Sequence, residues 1–239
     1  MMILTFNIRN GLAADGEHSW ERRKRLTSQT IRDTNADIIG LQEVYVFQLV
    51  YLLEQLSEYQ SYSVGREDGV SAGEQCSILW RRDSFGRAKA GTFWLSDTLD
   101  VPNSTSWGNR ITRICSWVEF VEGFRFYNTH WDHESQPARQ QSAELIRQVL
   151  PGRPWILVGD FNAEPGSSEM DIMAGAGHFV TEENPIGTFH DFRGGTDGDR
   201  IDHIFVSSGL SCGAPTILVD SDGGLYPSDH YPVLCEVSL

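Results

Sequence analysis

Trp155-Ile156-Leu157-Val158-Gly159-Asp160-Phe161-Asn162 is an apolar run that closes on two oxygen-bearing side chains. Side chains alternate faces along a strand, so Asp160 follows Ile156 and Val158 on one face, with Asn162 next. A carboxylate pointing the way the apolar residues point is costly unless it is hydrogen-bonded, paired or bound to a metal. The same ending recurs outward from this stretch. In Ile3-Leu4-Thr5-Phe6-Asn7, Asn7 shares a face with Ile3 and Thr5; in Ile39-Gly40-Leu41-Gln42-Glu43, Glu43 shares one with Ile39 and Leu41; His130 follows Phe126 and Asn128. Separate strand ends are therefore expected to converge on one polar pocket. Asp202, on the face of Ile204 and Val206, needs a buried partner too. Ser228-Asp229-His230-Tyr231-Pro232 stands just before the last strand, and an Asp202–His230 pair is expected, the carboxylate fixing the imidazole tautomer.

Strand character recurs over residues 2–8, 37–41, 77–80, 112–120, 124–130, 155–159, 200–207 and 232–237. Residues 20–34, 46–56 and 137–150 carry apolar side chains at helical spacings, with Pro137 suited to a first turn and Pro151 to a stop. Residues 112–120 and 124–130 read as a hairpin across Val121-Glu122-Gly123. Strands mixed with helices argue α/β or α+β with a mixed sheet. No repeat or linker divides the chain, so residues 1–239 are expected to form one domain.

The 239 residues hold 19 basic and 33 acidic side chains, a formal net charge of −14, and 40% are apolar. Disorder is excluded by the apolar content. The longest mostly apolar stretch, residues 44–53, is far shorter than the roughly 20 residues a membrane span needs, so no membrane association is expected. The opening residues lack a basic start leading into an apolar core, which predicts a cytoplasmic protein without an export signal. The four cysteines (Cys76, Cys115, Cys212, Cys235) are scattered and read as small buried residues. A surface this acidic repels long polyanions, so tight binding to long duplex DNA is not expected. The basic run Arg22-Arg23-Lys24-Arg25 reads as the solvated face of an early helix.

Competing motifs are weaker. Gly69-Val70-Ser71-Ala72-Gly73 matches G-x-S-x-G, but no apolar strand precedes it. His130-Trp131-Asp132-His133 matches the tail of a zinc-hydrolase motif whose first histidine is replaced by Asn128, which leaves a zinc hydrolase using His130, Asp132 and His133 as an alternative. Asn103-Ser104-Thr105 fits a glycosylation acceptor, which carries little weight without an export signal.

Taken in order, Thr5-Phe6-Asn7-Ile8-Arg9, Leu41-Gln42-Glu43-Val44, Asn128-Thr129-His130, Gly159-Asp160-Phe161-Asn162, Ile201-Asp202-His203-Ile204-Phe205 and Ser228-Asp229-His230-Tyr231-Pro232 resemble the motif series of the endonuclease/exonuclease/phosphatase superfamily, with its DNase I-like fold. Gly91-Thr92-Phe93-Trp94-Leu95-Ser96 followed by Arg113-Ile114-Cys115-Ser116-Trp117 looks like a bacterial branch close to the deadenylase-like members. The resemblance implies a four-layer sandwich of two mixed sheets flanked by helices, and hydrolysis of a phosphate ester with magnesium or manganese. By match to those motifs, Glu43 is the main metal ligand, with Asn7 and Asp229 near the ion. Asp160 orients or deprotonates water, and Asn162 holds the phosphate. His130 and His230 stabilise developing charge, and Asp202 orients His230. Glu74 looks like the second acid that some members carry near the first histidine. Arg113 is a candidate phosphate contact, since a fixed guanidinium suits bidentate binding. Oxygen ligands from Glu, Asp and Asn suit magnesium or manganese better than zinc. The family cleaves several ester classes; the −14 charge favours a small phosphorylated molecule or a short single-stranded nucleic-acid end. Trp94, Trp107, Trp117 and Trp131 are candidates to stack a base or sugar, although core packing suits most of them better. A catalytically silent protein binding a phosphorylated ligand is the remaining alternative.

Overall fold

The first half of the chain, in the computed structural model, holds β1 (Met2–Asn7), α1 (Trp20–Thr34), β2 (Ile38–Val44), α2 (Val46–Gln55), β3 (Tyr59–Tyr62), β4 (Gln75–Arg81), β5 (Arg87–Trp94) and β6 (Ile114–Phe120). The second half holds β7 (Arg125–His130), α3 (Gln136–Val149), β8 (Trp155–Asp160), α4 (Ser168–Ala174), β9 (His178–Phe179), β10 (Asp202–Val206), β11 (Ser211–Cys212), β12 (Thr216–Ile217) and β13 (Val233–Ser238). The structure describes residues 1–150, 152 and 154–239, so the stop expected at Pro151 lies outside the described residues.

Two sheets result. One has seven strands in the order β11-β13-β1-β2-β4-β3, with β12 also on β13; the other has six, in the order β5-β6-β7-β8-β10-β9. Each contains one parallel pair, β1 with β2 and β7 with β8, whose crossovers carry α1 and α3. The remaining pairs of named strands are antiparallel, including the expected β6–β7 hairpin. Alternation sorts the core into three layers of contact. Ile3, Ile38, Ile78, Phe126, Ile156, Val158 and Ile204 meet between the sheets. Leu4, Phe6 and Leu41 pack under Ile31 of α1 and Leu52 of α2, while Tyr127 and Leu157 pack under Ile146 of α3 and Met170 of α4. Each such side chain contributes about 1.5–3 kcal/mol of burial. The product is a four-layer α/β sandwich of the DNase I-like kind. At its centre the sheets approach closely: a Cβ added at Gly40 in β2 would lie 2.4 Å from Val158 Cγ2 in β8. Asn128 of β7 stitches the same seam, its Nδ2 donating to the carbonyls of Leu41 and Ser77, both at 2.8 Å.

The three expected helices form within a residue of their expected ends. The structure adds β3, β5, β9, β11, β12 and α4. β5 begins with exposed Arg87, Ala88 and Lys89 and runs along a sheet edge, so its side chains carry little apolar alternation. The basic run is half a correction: Arg22 and Arg25 are exposed, but Arg23 is fully buried. Its guanidinium donates to the carbonyls of His18, Ile8, Arg9 and Pro227, with Trp20 beneath it. Burial lowers its pKa to about 10. Among the described residues, no helix is long and apolar enough to cross a membrane.

Candidate active site

Asn7 ends β1 facing the opposite sheet and ties the two halves together. Its Nδ2 donates to Glu43 Oε1 at 3.0 Å and to Asp160 Oδ2 at 2.9 Å. Glu43 reaches this point by a route the alternation argument missed. Ile39 and Leu41 face the helices, so strict alternation would carry Glu43 to that side. Instead β2 is bulged: its register with β4 shifts between Leu41 and Val44, and Glu43 adopts a left-handed φ of 61°. A bulge re-aims a side chain at a local backbone cost of order 1–3 kcal/mol. Glu43 Oε2 then accepts the Asn10 backbone N–H at 2.8 Å. Burial pushes the Glu43 carboxyl up, but the Asn7 donor, the His230 charge and the Asn10 donor outweigh it, and the net shift is down.

Asp160 is the hub. Its Oδ1 accepts the Asn162 backbone N–H at 3.0 Å; its Oδ2 lies 3.5 Å from His130 Nε2 and 3.8 Å from His230 Nε2. His230 Nδ1 is 2.8 Å from Asp202 Oδ2, the contact expected from the sequence. Asp202 lies opposite Asp160 in the β8–β10 ladder. Burial, then the Asp202 charge, holds the Asp160 carboxyl well above the usual carboxylate range. The two histidines diverge. Burial disfavours charge on His230, but Asp202 and Asp160 overcome it and raise the ring to about 10. His130, buried and facing Arg113 and Arg66, falls well below its ordinary value. At neutral pH one imidazole is a cation and the other is neutral.

Asp229 sits beside this group. Its Oδ1 accepts from Ser228 Oγ at 3.1 Å, and its Oδ2 is 3.4 Å from Arg9 Nη1. Burial and the Glu43 charge raise its carboxyl despite His230. Arg113, expected at the phosphate, is buried on the cleft wall; Nη2 meets His133 Nδ1 at 2.9 Å while Nε has no partner. Asn162 anchors its amide on the Trp131 carbonyl at 3.0 Å. A cleft of about 440 Å³ joins Glu43, Asp160, His130, His230, Asp229, Arg113 and Asn162. Asn7 and Asp202 lie buried behind it.

Sequence reasoning missed other parts of this cleft. Arg9, Asn10, Arg66, Ile111, Phe189 and Asp199 also line it; Glu74, which the sequence did offer as a second acid, lines it as well, paired to Arg66 at 2.7 Å. Arg9 and Asn10 stand two and three residues after Asn7, which was a usable signal; the others sit on loops without periodicity. None of the four tryptophans offered as stacking platforms lines the cleft. Trp131 and Trp94 are buried, Trp107 donates to Asp97 and Trp117 lies under Arg125.

The donor set fits a hard divalent cation. Half-buried Glu43 and buried Asp229 are oxygen donors whose charges repel each other, offset nearby by the His230 cation and Arg9. Asn7 presents Nδ2 to Glu43, its Oδ1 accepting the Arg9 N–H at 2.9 Å, so it would ligate an ion only after its amide turned over. Asp160, Asp202 and His230 also bring ligand atoms within 4.8 Å of one another, but an ion there would displace the His230–Asp202 contact. The zinc alternative is not supported by the geometry. Asp132 Oδ1 is occupied by the N–H groups of Glu134 and Ser135, and His133 Nδ1 is engaged by Arg113.

A two-sheet sandwich with a carboxylate–imidazole cleft where strand ends meet defines a class, the hydrolases of phosphate esters. The chain belongs to the Endonuclease/Exonuclease/phosphatase family, whose model matches residues 4–230. It is similar over the full length of both chains to the structure of a mannosyl-6-phosphatase from Bacteroides thetaiotaomicron, with 32% identity and a TM-score of 0.93. Nocturnin of Drosophila melanogaster is 24% identical over 271 residues, covering 92% of this chain; the chain spans only 42% of that relative's length. The human Nocturnin catalytic domain with bound sulfate shares the fold, with 22% identity, a TM-score of 0.74 and coverage of 100% and 93%.

Proposed function

We propose that the protein is a magnesium- or manganese-dependent phosphatase of small phosphorylated molecules. The observation that carries this is the single cleft in which Asp160 Oδ2 lies 3.5 Å from His130 Nε2 and 3.8 Å from His230 Nε2 while Glu43 and Asp229 line the same space. Full-length similarity to a mannosyl-6-phosphatase supports a phosphomonoester, and the −14 charge disfavours a long nucleic acid. A short single-stranded end is the second reading, favoured by the resemblance of residues 91–96 and 113–117 to the deadenylase-like members.

Glu43 and Asp229 would hold the ion, which would supply Lewis-acid polarisation of a phosphoryl oxygen, while Asn7 keeps its amide donor on Asp160. Asn7 and the Asn162 N–H fix both oxygens of Asp160, which leaves Oδ2 free lone-pair capacity to orient a water and take its proton. His230, held cationic by Asp202, donates from Nε2 to charge developing on the phosphoryl oxygens, and neutral His130 adds a second donor. Arg113 and the second amide hydrogen of Asn162 grip the remaining oxygens.

A panel of sugar phosphates, nucleotides, inositol phosphates and short oligonucleotides, assayed for phosphate release with magnesium and again with EDTA, tests this reading. Release from small monoesters, abolished by EDTA and lowered about 100- to 1000-fold by Asp160→Asn, is the expected result. EDTA-resistant turnover, or stoichiometric zinc in protein purified without chelator, would overturn it.

A further inference from the structure

The far wall of the cleft is built by residues 187–201 rather than by strand ends. Gly187 N donates to the Thr196 carbonyl at 2.9 Å, and Thr188 and Phe189 both donate to the Asp199 carbonyl, at 2.8 and 3.0 Å. Phe189 and Asp199 are bridged in antiparallel fashion, so their side chains stand side by side, and both line the cleft. The turn depends on close backbone approach: a Cβ at Gly198 would lie 1.9 Å from the Phe189 carbonyl oxygen. On its other side the Phe189 ring rests on His230, centroids 5.0 Å apart. Asp199 is exposed and makes no ion pair among the described residues, whereas its neighbours are matched: Arg193 with Asp191 at 2.6 Å and Arg200 with Glu164 at 3.7 Å.

An unpaired carboxylate beside an apolar ring, next to the point of ester cleavage, is a poor neighbour for a second phosphate. It suits vicinal hydroxyls, which a carboxylate can accept in pairs while the ring covers the C–H face. Resting on the phosphatase reading above, we infer that Phe189 and Asp199 form the leaving-group subsite for a neutral polyhydroxylated ring, so that the substrate is a sugar monophosphate. A nucleotide chain would set its next phosphate against Asp199.

The test compares kcat/KM for mannose 6-phosphate with that for butyl phosphate, which has neither ring nor hydroxyls. In the unsubstituted protein the ratio exceeds about tenfold; Asp199→Asn lowers it about tenfold, the scale of one charge-assisted hydrogen bond, and Phe189→Leu lowers it severalfold by removing the ring that covers the C–H face. Asp199 is exposed, and a ratio cancels general damage to the fold. Activity with an unchanged ratio in both variants, or a preference for a short oligonucleotide end over the sugar phosphate, overturns the subsite alone. Magnesium-dependent release from no ester at all would sink the phosphatase reading, and this inference with it.

Discussion

Two imidazoles of the cleft differ in protonation because their neighbours differ, not because their chemistry does. His130 and His230 both approach Asp160 Oδ2, yet only His230 has a carboxylate at its back. Environments that push titratable groups apart in this way fix which of them carries the charge a reaction needs. The sign is fixed. His230 must be protonated to stabilise charge, its ring is raised to about 10, and activity should be lost as the pH rises through that value. Replacing Asp202 by Asn removes the charge responsible, so the alkaline limb of the kcat/KM profile should move down by a unit or more. A limb that stays in place would show that His230 does not act as a cation.

Elements were read with uneven success, for a physical reason. Strand ends are legible because a period of two is written into the residues themselves, which is why Asn7, His130, Asp160 and Asp202 could be aimed at one pocket. Glu43 was aimed there by an argument that fails, since no local signal reports the bulge that turns it. Phe189 and Asp199 depend on a bridge between residues ten apart, and Arg23 is indistinguishable in sequence from its solvated neighbours. Helix limits fared better because capping is local. Ser135 Oγ accepts the Ala138 N–H at 3.2 Å ahead of Pro137. Ser135→Ala should cost about 1 kcal/mol in urea unfolding while leaving kcat within about twofold. An unchanged midpoint would show that the Ser135 cap does not stabilise α3.

At the scale of the whole molecule, each sheet delivers part of one centre. Glu43 and Asn7 come from the first sheet, Asp160, His130 and Asp202 from the second, and the loops carrying Asp229 and Arg9 are pinned to each other by Arg23. The centre therefore depends on how far apart two large bodies rest. That separation is set where Gly40 leaves room for Val158 and for the Asn128 side chain that crosses the seam. Gly40→Ala should destabilise by about 1–3 kcal/mol through overpacking. It should also lower kcat more than that loss of folded protein explains, and adding Val158→Ala should restore part of the rate. A hydrogen atom at position 40 is thus a calibrated shim: the reach of Asn7 from one slab to the carboxylate on the other tolerates no thicker gasket, and a lone methyl group outside the cleft is enough to put the engine out of true.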